Sequence, residues 1–118
     1  MKQNSPLVYA ILGVLTVIRS EKNFKIQMVV TLLVVMSGFV FHISIMEWLV
    51  VILCIGLVLI LEIINTALEK LTDIVSPEWN EKAGSVKDIS AAAVLVAAII
   101  SLICGGIIFL PRVLDKIQ

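Results

Sequence analysis

Five polar side chains break the end of a long apolar run: Glu62, Asn65, Thr66, Glu69 and Asp73. At roughly 100° per residue on a helix they fall within an arc of about 100°, so one side of that helix is acidic and the rest apolar. Residues 48–61 carry no charge, which puts Glu62 at or just inside the edge of a bilayer if the run enters one. A carboxylate is costly to bury there, and its default reading is functional. Glu62 and Glu69 stand about 10 Å apart along one helix face. That is too far for both to share one metal ion unaided, so a division of labour is more natural: one carboxylate acts as a base and the other binds a cation. Glu21, ahead of the first long apolar run, can add an oxygen ligand. Mg²⁺ suits such a site because it takes carboxylate oxygens, keeps waters and is completed by substrate phosphates.

Phosphoryl transfer needs a cation or basic group at the phosphates and an acceptor held in line. Lys87, beside Asp88 at the mouth of the last apolar run, is placed to contact phosphate. Asn65, one turn from both Glu62 and Glu69, can hold either carboxylate in position. There is no GxxxxGK[ST] loop and no kinase-type glycine loop, and Gly84 alone is weak support. The plain alternative is that these acidic residues form a solvated helix end.

The elements that must carry these residues follow from composition. The 118 residues are 60% apolar, more than a soluble domain of this size can hide, and one domain is expected over 1–118. Three runs approach or reach the roughly 20 residues needed to cross a bilayer. They predict an all-α membrane protein with transmembrane helices over about 26–46, 48–75 and 86–110. Ser76-Pro77 stops the second, which outruns the membrane and carries its acidic face out with it, and Pro111 ends the third. Glu47 and Trp48 are expected to mark a tight turn, with Trp48 as an interface anchor. Residues 77–87 read as a polar loop. Ahead of the spans, Ser5-Pro6 opens a helix over about 5–20. It is too short to cross, so it is expected to lie as an amphipathic helix on the surface, with packing against the spans as the competing account. Small residues in the third run, among them Ala91 to Ala93, Gly105 and Gly106, place it at the centre of a bundle or an oligomer interface.

Net charge is zero, which leaves no basic field to recruit nucleic acid. Lys2, Arg19, Lys22 and Lys25 precede the first span, and Lys70, Lys82 and Lys87 lie between the second and third. The turn between the first two spans has neither Lys nor Arg. The positive-inside rule therefore puts the amino terminus and the long loop in the cytoplasm and the carboxyl terminus outside the inner membrane. The amino terminus lacks the pattern of a cleavable signal and is expected to be retained. Cys54 and Cys104 lie inside spans without a CxxC spacing and read as packing residues. His42, the one histidine, reads as an interfacial side chain more than a metal ligand.

The string E-x-x-N-[ST]-x-x-E-x-x-x-D from Glu62 to Asp73 is followed by Val75-Ser76-Pro77-Glu78 and by Lys87-Asp88 running into Ala91-Ala92-Ala93-Val94. With the Glu21-Lys22-Asn23-Phe24 segment, it resembles the prokaryotic diacylglycerol kinase family, small membrane-integral lipid kinases unrelated to soluble kinases. The resemblance covers essentially the whole chain. It implies a surface helix plus three transmembrane helices, a homotrimer with active sites shared between subunits, and Mg-ATP-dependent phosphorylation of a lipid alcohol at the cytoplasmic interface. By motif position, Glu62 is the general base with Asn65 beside it, and Glu21 and Glu69 hold the metal. Lys87 contacts phosphate, while Asp73, Glu78, Trp79, Asn80 and Asp88 surround the nucleotide, which Tyr9 and Lys2 also reach. Gln27 stands where many members of the Gram-positive branch have His, and Trp79 and Asn80 replace the commoner Tyr-His pair. These departures bear on nucleotide preference more than on the reaction. The Glu21 to Phe24 and Val75 to Glu78 segments resemble that branch, which implies undecaprenol as acceptor ahead of diacylglycerol. A non-enzymatic membrane scaffold or accessory subunit, whose acidic face binds a partner, is the alternative of another class. A small transporter is disfavoured, because the charges cluster at one interface.

Overall fold

The computed structural model describes residues 4–118. These form helices α1 (Pro6–Ser20), α2 (Lys22–Val40), α3 (Ile45–Val75) and α4 (Glu81–Ile117), with no strand among the described residues. The last three are long and apolar enough to cross a membrane. At 31 residues α3 is about 46 Å long, against about 30 Å of hydrocarbon, so it extends beyond the bilayer as its length predicts.

Helices α1, α3 and α4 each begin where a side chain accepts from a free amide group, whereas α2 has no such cap. The Ser5 hydroxyl accepts from the Val8 amide and Pro6 occupies the first turn of α1. Glu21 breaks the helix for a single residue, in extended conformation (φ −111°, ψ 111°), and thereby sits at the joint of α1 and α2.

The turn between α2 and α3 differs from the expected Glu47–Trp48. It lies at residues 41–44, and both Glu47 and Trp48 belong to α3. The reason is two caps placed back to back. At the end of α2, His42 takes a left-handed φ of 51°, and the Ile43 and His42 amides donate to the carbonyls of Gly38 and Phe39, the pattern of a Schellman motif. Ser44 then opens α3. Its hydroxyl accepts from the Glu47 amide at 3.2 Å, while Glu47 Oε1 accepts from the Ser44 amide at 2.9 Å. Ser44-x-x-Glu47 is thus a capping box, a pattern visible in the sequence.

Two further boundaries move. The polar loop shrinks to residues 76–80, because Asn80 Oδ1 accepts from the Ala83 amide at 2.9 Å and starts α4 at Glu81, about five residues before the expected start near residue 86. Pro111 does not end α4, which continues to Ile117. Proline removes one backbone donor. Next to it, Arg112 donates to the Ile108 carbonyl and makes two bonds of 2.6 and 2.7 Å to the Glu47 carboxylate, fastening the last turns of α4 to the first turn of α3. The Lys116 ammonium lies 5.4 Å from the centroid of the Phe41 ring at the same end.

The main interface runs between α3 and α4, with α2 against α3 and α1 touching α2 and α3. The molecule measures 57 × 37 × 21 Å, a slab with little interior. Among the described residues no side chain is fully enclosed, and Ile43, Val51 and Ile108 form a small buried cluster near the Ser44 end. Large apolar side chains such as Leu32, Leu53 and Leu102 face outward, as hydrocarbon surroundings require. A groove of about 510 Å³ between α2, α3 and α4 is lined mainly by apolar residues, with Gln27, Thr31 and Ser101 the polar ones.

Gly38 is the tightest point of the α2–α3 contact. A Cβ built there meets two atoms of the Trp48 ring at 2.5 and 2.8 Å, and Phe39 stacks on the same ring at 4.9 Å between centroids. Trp48 is therefore wedged against α2 as well as lying near the end of the span. Gly38→Ala is expected to lower stability by about 1–3 kcal/mol, because the indole must leave its place. Thermal unfolding in detergent reads this; an unchanged midpoint would show that the ring shifts at no cost.

Candidate active site

Along α3 the acidic face runs from dry to wet. Glu62 is 6% exposed and Thr66 3%, Asn65 and Glu69 are half-buried, and Asp73 is exposed. The Thr66 hydroxyl donates back to the Glu62 carbonyl at 2.9 Å and so spends its proton on the helix. The Glu62 carboxylate accepts no hydrogen bond from any described residue. No fully buried side-chain oxygen lacks a partner among these residues, so its oxygens reach the open surface of the bundle. Burying a carboxylate without donors is unfavourable, and here two more carboxylates, Glu21 and Glu69, lie close enough to repel it. Packing does not explain such an arrangement. It leaves a carboxylate whose oxygens have no donor among the described residues.

Asn65 and Glu69 are tied together. Asn65 Nδ2 donates to Glu69 Oε1 at 3.3 Å, and from α4 the buried Ser90 hydroxyl donates to Asn65 Oδ1 at 2.6 Å. Ser90 was not singled out from the sequence. It lies three residues beyond Lys87, hence on the same face of α4, which is visible from spacing. Its pairing with Asn65 depends on how α3 and α4 register.

Beyond the wet end of α3, a hollow of about 380 Å³ is lined by Asp73, Glu78, Trp79, Asn80, Lys87 and Asp88, with Thr72, Ser76, Pro77, Ala83 and Gly84. Six of the expected nucleotide residues thus share one concavity. Trp79 is 85% exposed, so its ring faces are free to stack. The Asn80 side chain is divided: its oxygen caps α4 and its Nδ2 points to Ser76 Oγ at 3.4 Å. Lys87 Nζ bonds Asp73 at 2.6 Å across the hollow and also feels the charge of Glu69, which links the hollow to the carboxylates. Tyr9, on α1, does not line it; its hydroxyl accepts from the Asn4 amide at 3.1 Å. Lys2 lies outside the described residues.

The donor set fits a hard divalent cation that keeps part of its shell for substrate. Among the described residues no three His, Cys, Asp or Glu side chains gather into a cage. Glu21 and Glu69, both near Glu62, instead offer a few carboxylate oxygens, and Glu69 also faces Lys87 of the hollow; this suits the mode in which Mg²⁺ is bound through one or two carboxylates plus phosphates.

Known proteins share this layout in sequence. The model of the family described as prokaryotic diacylglycerol kinase matches residues 8–109, a stretch that includes Glu21, the acidic face of α3 and the whole hollow. An undecaprenol kinase of Bacillus subtilis is 38% identical over 105 residues, covering 89% of this chain and 85% of that protein. A diacylglycerol kinase of Synechocystis is 37% identical over 108 residues, 91% of this chain and 62% of that protein. One of Escherichia coli K12 is 33% identical over 84 residues, 71% and 69% respectively. With a family match across most of its length and relatives above 30% identity, this chain belongs to the prokaryotic diacylglycerol kinase family.

Proposed function

We propose that this chain transfers the γ-phosphoryl group of ATP to the hydroxyl of a lipid alcohol at the cytoplasmic face of the membrane, with undecaprenol the preferred acceptor and diacylglycerol the alternative. The observation that carries this is the order of groups along α3: a buried carboxylate without a donor at Glu62, and a water-facing hollow beginning at Asp73. A lipid hydroxyl enters from the apolar side and a nucleotide from the water. The likeness to an undecaprenol kinase and the Glu21 to Phe24 segment favour the longer lipid.

In this scheme Glu62 takes the proton of the lipid hydroxyl as its oxygen attacks the γ-phosphorus, and the bridging oxygen departs with ADP. Asn65 keeps Glu69 turned toward the phosphates. Glu21 and Glu69 hold the divalent cation, Mg²⁺ in this proposal, which supplies neutralisation of phosphate charge when bound. Lys87 exchanges its bond to Asp73 for a phosphate oxygen, Trp79 stacks on the base, and Glu78, Asn80 and Asp88 frame the nucleotide, with Tyr9 approaching from α1. The distribution of Lys and Arg supports a cytoplasmic amino terminus and an outward carboxyl terminus in the inner membrane. The outward apolar faces and small interior support assembly as a homotrimer in which a neighbour completes the site.

Purified protein supplied with Mg-ATP and each lipid in turn tests the assignment. Undecaprenol is expected to turn over about 10-fold or more faster than diacylglycerol at equal mole fraction, the discrimination that roughly 1.4 kcal/mol of differential binding provides. Equal or faster diacylglycerol turnover overturns the preference. Transfer to neither lipid overturns the kinase assignment in favour of a scaffold.

A further inference from the structure

The geometry points to Ser90 as a positioning residue of the cation site, acting through Asn65 on Glu69. This rests on the assignment of Glu69 to the cation. The direction of each hydrogen bond in the chain is forced by chemistry. An ionised Glu69 has only acceptor oxygens, so the group of Asn65 facing it at 3.3 Å must be the NH₂. The carbonyl end of Asn65 then faces α4, and it needs a donor. The Ser90 hydroxyl supplies one at 2.6 Å, from a residue that is 8% exposed and out of reach of competing water. Without that donor the Asn65 carbonyl is left without its partner on α4, and the amide is held by its bond to Glu69 alone and can swing away from it.

The bond also crosses between elements. Asn65 and Ser90 are 25 residues apart, and theirs is the direct side-chain link between the α3 acidic face and α4 at this level. Lys87, one turn earlier on α4, reaches Asp73 about two turns further along α3 than Asn65. The pair of contacts therefore sets the acidic face in register with the phosphate-side lysine. Ser90 is flanked by Ala91, Ala92 and Ala93, so replacing it with alanine keeps the packing and improves helix propensity. A merely structural role predicts a lower thermal midpoint with cation affinity unchanged.

The test uses full-length wild type, Ser90→Ala, Asn65→Ala and the double variant in detergent. Each is titrated with Mn²⁺ in the presence of a non-hydrolysable ATP analogue, with free Mn²⁺ read by electron paramagnetic resonance and the thermal midpoint measured alongside. Ser90→Ala is expected to weaken Mn²⁺ binding about 3- to 10-fold, the worth of one neutral hydrogen bond, with a midpoint within a few degrees of wild type. In the Asn65→Ala background the serine change is expected to add nothing. In turnover assays the same variant shifts the metal activation constant while kcat at saturating metal stays nearly constant. A Ser90→Ala titration that superimposes on wild type, or additive losses in the double variant, overturns the inference. So does a wild type that binds no Mn²⁺. A wild type that binds Mn²⁺ but phosphorylates no lipid sinks the proposed reaction and leaves the role of Ser90 to be decided by the titrations.

Discussion

Glu62→Gln is expected to lower kcat for lipid phosphorylation by about 10²- to 10⁴-fold, the contribution of a general base, while binding of an ATP analogue stays near wild type. The substitution keeps the shape of a side chain that is 6% exposed and removes its basicity. It also removes the repulsion that Glu21 and Glu69 exert on that position, so the variant is expected to be at least as stable as wild type. Lost activity with undiminished stability separates a catalytic carboxylate from a structural one. Normal turnover in Glu62→Gln would remove the assignment of Glu62 as base. A loss of turnover accompanied by a lower melting temperature would move the residue to a packing role.

The second large effect is expected at Glu69. Glu69→Ala takes away the carboxylate to which Asn65 donates and around which Lys87 and Glu62 are arranged. The apparent activation constant for Mg²⁺ is expected to rise on the order of 100-fold, the upper end of what disturbing a metal's supporting shell costs. Unlike Glu62→Gln, this variant regains activity as metal is raised, and its nucleotide affinity becomes weak in the metal-bound form. A metal titration identical to wild type would show that Glu69 is not a ligand. The two variants thus fail differently: one in the chemical step at any metal concentration, the other in assembling the site.

How much of this was legible beforehand depends on the range of the interaction. The Ser5-Pro6 start, the stop at Ser76 and the acidic arc from Glu62 to Asp73 are local, and α1 begins and α3 ends where those residues say. The α2–α3 turn was also local. It precedes the expected Glu47–Trp48 because the capping box of Ser44 and Glu47 draws both of those residues into the first turn of α3. Pro111 misled for a different reason. A proline costs a helix one backbone bond, and whether the helix survives depends on what its far side gains, here the pairing of Arg112 with Glu47.

The candidate site divides in the same way. Residue types, the seven-residue spacing of Glu62 and Glu69 and the length of α3 suffice to say that a carboxylate meets the membrane edge and that others meet water, because helical period and bilayer thickness are constants. That Glu62 lies without a donor was beyond the sequence, as were the joining of Lys87 to Asp73 across 14 residues and of Ser90 to Asn65 across 25. The hollow that gathers the six residues from Asp73 to Asp88 depends on the same docking of α3 and α4. A turn of either helix about its axis by one residue, roughly 100°, would point these side chains elsewhere without changing a letter of the pattern. Periodicity therefore chose the faces, and the register between α3 and α4, fixed by side-chain packing and cross-helix bonds, chose which residues act together.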